Sequence, residues 1–197
     1  MFNHLKDRLD LKQGTVRFIV ANPPALQRGV RFITQDLNRI YPGIEGATGE
    51  AGLASRVLSL VSDADFVVDL HSTSSPTEAF AIVNRRNEET LALAEKTRLK
   101  KILFISLEEG HAMIDFVKCG IGIELGLHGS QYAYEIGINA LERLFGNLDF
   151  IVNEQSGISE DHEYFELIGS VLKPFNSVHL SPSFQNFHFS LQKISHI

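Results

Sequence analysis

The chain has 197 residues, 44% of them hydrophobic and 21% charged, with a formal net charge of −6. These totals fit one soluble globular domain with a sizeable core and exclude a general nucleic-acid binder, which needs clustered Lys and Arg. A single cysteine, Cys119, excludes an internal disulfide and points to a reducing, cytoplasmic setting. No apolar run nears the roughly 20 residues of a membrane span, and the first eight residues do not read as a signal peptide.

Phe2, Leu5 and Leu9 recur at helical spacing and predict an amphipathic helix over residues 2–9, without an N-cap before it. Gly14 turns the chain, residues 16–21 predict a strand, and Asn22-Pro23-Pro24 stops it. Residues 25–49 show no clean period and read as one long ordered loop. It displays Arg28, Arg31, Gln35, Asp36, Asn38, Arg39 and Tyr41. Arginines in a net-acidic chain suit a small anion, because the guanidinium fork matches a carboxylate. The competing reading is that Asp36 and Arg39 only pair with neighbours and tie the loop down.

Residues 50–62 follow as a helix with Leu53, Ala54, Val57, Leu58 and Val61 on one face. Phe66, Val67 and Val68 begin a buried strand that ends in Asp69, His71, Ser72 and Thr73. Ligand crevices of α/β proteins lie beyond such carboxyl ends, so His71 is a candidate site residue. Further elements are a loop over 72–77, strands over 79–83 and 102–105, a helix over 88–99 and a loop over 108–111. Gly120 to Gly126 reads as an apolar strand carrying one carboxylate, Glu124, which is costly inside a sheet unless paired. Ser130 is an N-cap for a helix over 131–145, and residues 164–172 predict one more strand. After Pro174 the chain turns Phe-, Ser- and Asn-rich. The alternation predicts an α/β layer architecture with a mixed, mainly parallel sheet.

Asn22-Pro23-Pro24-Ala25, Arg31-Phe32, Asp36-Leu37-Asn38-Arg39-Ile40-Tyr41, Asp69-Leu70-His71-Ser72-Thr73 and Gly122-Ile123-Glu124-Leu125-Gly126 stand in this order along the chain. Together they resemble the signature of the succinylglutamate desuccinylase and aspartoacylase family. The resemblance implies a zinc-carboxypeptidase-like three-layer fold, truncated at its N-terminal side. It divides the chain into an α/β catalytic-type domain over residues 1–172 and the start of a β-rich segment over 173–197. It also implies a hydrolase that cleaves the amide of an N-acyl amino acid, or a similar small carboxylate substrate, at one zinc ion. By resemblance His71 is a zinc ligand, Glu124 the general base, and Arg31 the group that polarises the carbonyl. Asn38 and Arg39 hold the substrate carboxylate and Asp36 supports that subsite. No nucleic-acid or membrane partner is implied.

The family carries its first two zinc ligands in a Gly-x-His-Gly-x-Glu motif, which these 197 residues do not contain. His4 meets Asp7, not Glu, at the corresponding spacing, and nothing in the spacing of His111, His128 and His162 makes them replacements. Catalytic zinc usually takes three protein ligands, so weak zinc binding and little activity are expected of this chain. The second reading is a catalytically inactive homologue that binds a small anion or a protein. A missing first strand would leave a sheet edge open, and a homo-oligomer is one expected result.

Overall fold

The computed structural model describes residues 1–11, 14–84, 87–105, 111–150, 161–167 and 192–193. Its helices are α1 (Phe2–Lys6), α2 (Pro23–Arg28), α3 (Gly49–Val61), α4 (Glu88–Lys96) and α5 (Gln131–Gly146). Its strands are β1 (Val67–Thr73), β2 (Phe80–Val83), β3 (Lys101–Ile105), β4 (Gly120–Leu127), β5 (Glu163–Leu167) and β6 (Gln192–Lys193). Short 3-10 turns occupy Leu37–Arg39 and Met113–Asp115. Among the described residues, no helix is long and apolar enough to cross a membrane.

The strands form one mixed sheet in the order β1-β4-β2-β3-β5-β6. β1 runs parallel to β4, and β2, β3 and β5 run parallel to one another. β4 meets β2 antiparallel, and β6 meets β5 antiparallel. Helices cover both faces, which gives the three-layer, mainly parallel α/β fold expected from the sequence. One apolar cluster joins Ile102, Ile121 and Ile123 to Leu5 of α1, Leu93 of α4 and Leu141 and Leu144 of α5. The other joins Val67 to Tyr41, Met113 and the α3 residues Ala54, Val57 and Val61. β4 lies between β1 and β2, so Glu124 is on a central strand and not on an edge.

Two elements differ from the sequence expectation. Residues 16–21 form no ladder. Their side chains nevertheless alternate as in a strand, with Ile19 and Ala21 toward the α3 cluster and Val16 and Phe18 toward the other. Among the described residues no strand pairs with them, and a pleated pattern without a neighbour makes no sheet.

The second difference is α2, which falls where the sequence reads as loop. Asn22 caps it, its side chain accepting from Ala25 N at 3.1 Å. Pro23 opens it, where a missing N–H costs nothing, and Gly29 closes it at φ +64°. The two prolines therefore start a helix and do not merely end a strand.

Smaller differences lie at the ends. α1 stops at Lys6, α4 stops at Lys96 before Arg98 turns to φ +54°, and β1 continues through Ser72 to Thr73. Residues 106–110, 168–172 and most of 173–197, with the expected domain boundary at 172, lie outside the described residues.

Candidate active site

β1 and β4 are adjacent and parallel, with His71 level with Glu124 and Asp69 level with Gly122. Side chains on a strand alternate, and residues paired in register share a face. His71, Asp69 and Glu124 therefore emerge on the α3 side, at the carboxyl ends of both strands, where α/β sheets hold ligands. A register irregularity follows at once, between His71 and Thr73.

The loop between α2 and α3 closes over these strand ends. Asn38 Nδ2 lies 2.9 Å from His71 Nε2 and donates to Asp69 Oδ2 at 3.3 Å. His71 Nε2 stands 2.8 Å from Asp69 Oδ2. The Asp69 carboxylate calls for a ring proton on Nε2, whereas the Asn38 amide N–H calls for Nε2 as an acceptor, so the two compete for one ring nitrogen. Asp36 accepts from Asn38 N at 3.1 Å and from Arg31, whose Nε is at 2.9 Å and Nη2 at 2.8 Å. Arg39 Nη1 donates to Asn38 O at 2.7 Å. The loop-tying reading of Asp36 and Arg39 is thus realised in part, and Asp36 supports the loop from within. Nη1 of Arg31 is the guanidinium arm that these Asp36 contacts leave over.

The electrostatics tie the same residues together. Burial alone would depress the His71 imidazolium. The hydrogen bond and charge of Asp69, with the charge of Glu124, outweigh burial and raise its pKa, while Arg31 opposes. Burial raises the pKa of Glu124, against the pull of His71 and Arg31. Glu124 Oε2 is buried with no hydrogen-bond partner among the described residues. A buried carboxylate oxygen without a partner is unusual and marks a place where a ligand group or water would sit.

Glu50 is a site-building residue that sequence reasoning missed. It opens α3 at 3% exposure. It accepts from Asn22 Nδ2 at 3.2 Å, Thr34 Oγ1 at 2.6 Å, Thr34 N at 3.1 Å, Gln35 N at 3.3 Å, and the N–H of Ile33. Burial would raise its pKa, but these bonds hold the carboxyl at about 2. An acid in a helix first turn ordinarily reads as a dipole partner, so only its distance from Ile33 and Thr34 in space reveals the role. Tyr41 is a second such residue. It is buried at 2% exposure and its phenol is pushed above the ordinary range, by burial first and then by the charge of Asp69.

The other histidines named in the sequence have partners of their own, His4 facing Glu142 at 3.1 Å. His111 Nδ1 faces Tyr41 O at 3.1 Å, His128 Nδ1 faces Ser72 Oγ at 2.9 Å, and His162 Nδ1 faces Leu99 O at 3.0 Å. Among the described residues, no three His, Cys, Asp or Glu side chains form a group that could hold a metal ion. One imidazole beside an unpartnered carboxylate does not fit a catalytic zinc site, which takes three protein ligands.

A mixed, mainly parallel sheet with helices on both faces is the architecture of the zinc-carboxypeptidase-like fold class. The family model of the succinylglutamate desuccinylase/aspartoacylase catalytic domain matches residues 2–144, and the chain belongs to that family. It is 30% identical over 134 residues to a probable aspartoacylase of Synechococcus sp. (strain CC9605), covering 61% of this chain and 44% of that protein. It is also 30% identical over 139 residues to an N-acyl-aromatic-L-amino acid amidohydrolase (carboxylate-forming) of Xenopus tropicalis, covering 60% and 45%. The chain therefore spans less than half the length of these curated relatives. Murine aminoacylase 3 shares the fold at a TM-score of 0.63 and 18% identity, over 86% of this chain and 64% of that one. A succinylglutamate desuccinylase/aspartoacylase of Rhodobacter sphaeroides does so at 0.61 and 19%, over 75% and 50%.

Proposed function

We propose that these residues form the substrate-carboxylate and proton-handling part of a hydrolase that cleaves an N-acyl amino acid. The observation that supports the reading is the level pairing of His71 and Glu124 on two adjacent strands, with Glu124 Oε2 lacking a partner among the described residues and the charge of Arg31 acting on both groups. In the proposed reaction water adds to the acyl carbonyl carbon while Glu124 takes one of its protons. The carbon–nitrogen bond then breaks, and Glu124 returns that proton to the leaving amine. Arg31 faces the oxyanion of the tetrahedral intermediate with the guanidinium arm that Asp36 leaves over. Arg39 and the Asn38 amide take the substrate carboxylate. Zinc, as the family resemblance implies, would need ligands beyond His71.

Titration calorimetry with N-acetylaspartate, N-succinylglutamate and N-acetylphenylalanine tests this. At least one is expected to bind, with affinity lost in Arg39→Ala. Failure of all three to bind would overturn the reading. The lack of a three-ligand metal group among the described residues favours a second reading, a non-catalytic small-anion-binding module. Zinc content separates the two. Less than about a tenth of an equivalent on the purified chain, with zinc supplied, leaves binding without turnover.

A further inference from the structure

Asn38 reaches the strand ends from the 3-10 turn Leu37–Arg39 and closes a triangle of side-chain atoms there. His71 Nε2 lies 2.8 Å from Asp69 Oδ2 and 2.9 Å from Asn38 Nδ2, and Asn38 Nδ2 lies 3.3 Å from Asp69 Oδ2. An imidazole nitrogen carries either a proton or a lone pair. With a proton on Nε2, the Asp69 contact is a good bond and an amide hydrogen of Asn38 is pressed against another N–H. With a lone pair, the Asn38 contact is a good bond and the Asp69 carboxylate faces that lone pair. Exchanging the amide nitrogen and oxygen of Asn38 gives no relief. The oxygen would then face the Asp69 carboxylate, and the NH2 would face Met113 N, which donates to Asn38 Oδ1 at 3.4 Å. One of the two contacts to Nε2 is therefore always poor.

The strengths of the contacts decide which group yields. A hydrogen bond from imidazole to carboxylate is roughly twice as strong as one between neutral groups, so Asp69 keeps His71. The Asn38 amide is left with contacts of 3.3 Å and 3.4 Å, which are long for hydrogen bonds. Its backbone is pinned. Asn38 N donates to Asp36 Oδ1 at 3.1 Å, and Arg39 Nη1 donates to Asn38 O at 2.7 Å. The amide can turn about its own side-chain bonds while the loop stays in place. Arg39 is the next residue, and Arg31 is bound to the same Asp36, so an anion drawn to this loop arrives beside that amide.

We propose that Asn38 is a positioning residue that couples the binding of a substrate carboxylate to the setting of His71. Without ligand its amide rests in the mismatched triangle. A carboxylate on the arginine loop draws the amide away, and His71 Nε2 then pairs with Asp69 alone. This coupling rests on the carboxylate-binding reading of the loop and adds a sign to it. Relief of the mismatch contributes to affinity, so Asp69, a negative charge beside the anion's seat, favours the anion. Coupling of this kind is reciprocal, and the anion in turn favours the Asp69–His71 pair.

The test uses the 197-residue chain, without metal and at one fixed pH, with N-acetylaspartate, N-succinylglutamate and N-acetylphenylalanine as probes. Calorimetry gives the affinity, and nitrogen NMR follows the Asn38 side-chain amide and the His71 ring. On binding, both sets of signals are expected to move with one midpoint. In Asn38→Ala the His71 ring signals of the free chain should already lie close to those of the liganded parent, and should not move further with ligand. Asp69→Asn lifts the competition for Nε2 in the free chain, so it should weaken binding by about fivefold or more. Loss of a nearby negative charge acting alone would tighten it.

Binding that leaves the His71 ring signals of the parent unmoved overturns the coupling and leaves the carboxylate reading standing. So does equal movement in Asn38→Ala, or equal or tighter binding by Asp69→Asn. Failure of every probe to bind overturns both. Should Asn38→Ala fail to fold, Asn38→Ser, too short to reach Nε2, replaces it. Should Asp69→Asn fail to fold, the NMR comparison of parent and Asn38 variant decides.

Discussion

His71 and Glu124, 53 positions apart in the chain, stand level on two hydrogen-bonded parallel strands and face the same side of the sheet. Their relation is fixed by backbone pairing and not by a contact of their own. A slip of one residue would send one of them to the opposite face. Site geometry and sheet register are therefore the same property.

Glu124→Gln separates catalysis from stability. It removes the proposed base and should lower turnover of any hydrolysed N-acyl amino acid by about 10²–10⁴-fold. The folded pKa of Glu124 is raised, so its contribution to stability is present at low pH and is lost as pH rises through that pKa. Glutamine does not titrate, so the variant should be at least as stable as the parent at neutral pH. Urea unfolding at pH 4 and pH 8 checks the sign.

Asp69→Asn should lower the pKa of His71, because the hydrogen bond and charge of Asp69 are the chief influences that raise it. A raised imidazole pKa stabilises the fold below the unfolded value of about 6.5, and that gain disappears as pH rises through the folded pKa. The variant should lose this extra stability below the unfolded value. Imidazole NMR titration reads the shift directly, and a His71 pKa unchanged by the substitution would refute the pairing.

Glu50→Gln should destabilise the chain by about 2–3 kcal/mol, because several charge-assisted hydrogen bonds to a buried carboxylate are weakened together. The carboxyl sits at about 2 in the folded state, below its ordinary value of 4.5. Its stabilisation is thus present above the unfolded pKa and drains away as pH falls from that value toward 2. Acid unfolding midpoints of parent and variant should converge at the low end of this window.

Gly43→Ala is expected to cost more than about 2 kcal/mol, through a strained backbone and a steric clash together. Gly43 has φ +78°, and a Cβ there would meet Ala51 O and come within 2.6 Å of Ser55 N and 2.8 Å of Ala54 Cβ. Thermal denaturation is the measurement. A melting temperature within a degree or so of the parent would show that α3 can yield at this contact.

The central layers were legible because their signals are local. Ser130 accepts from Ala133 N at 3.1 Å, as an N-cap serine should, and α5 follows with Leu141 and Leu144 inward. The Asp-Leu-His run ends an apolar strand, and chemistry at strand ends is a topological rule. Residues 16–21 were misread because β-pattern describes a surface and not a partner. Val16 and Ile19 alternate properly, yet a ladder needs a neighbour that these residues do not themselves supply. Asn22-Pro23-Pro24 was misread because one signal serves two outcomes, a strand stop and a helix start. The roles of Glu50 and Asp69 depend on groups that only the folded chain brings near.

The acceptor at Glu50 has a consequence for how this loop tolerates change. Ile33 and Gln35 reach it through main-chain N–H groups, and Thr34 does so through both N–H and hydroxyl. Any residue but proline offers that N–H. Side chains at 33 and 35 can therefore be exchanged widely while the loop keeps its path to Asn38, which makes this turn a natural place to retune selectivity without rebuilding the scaffold.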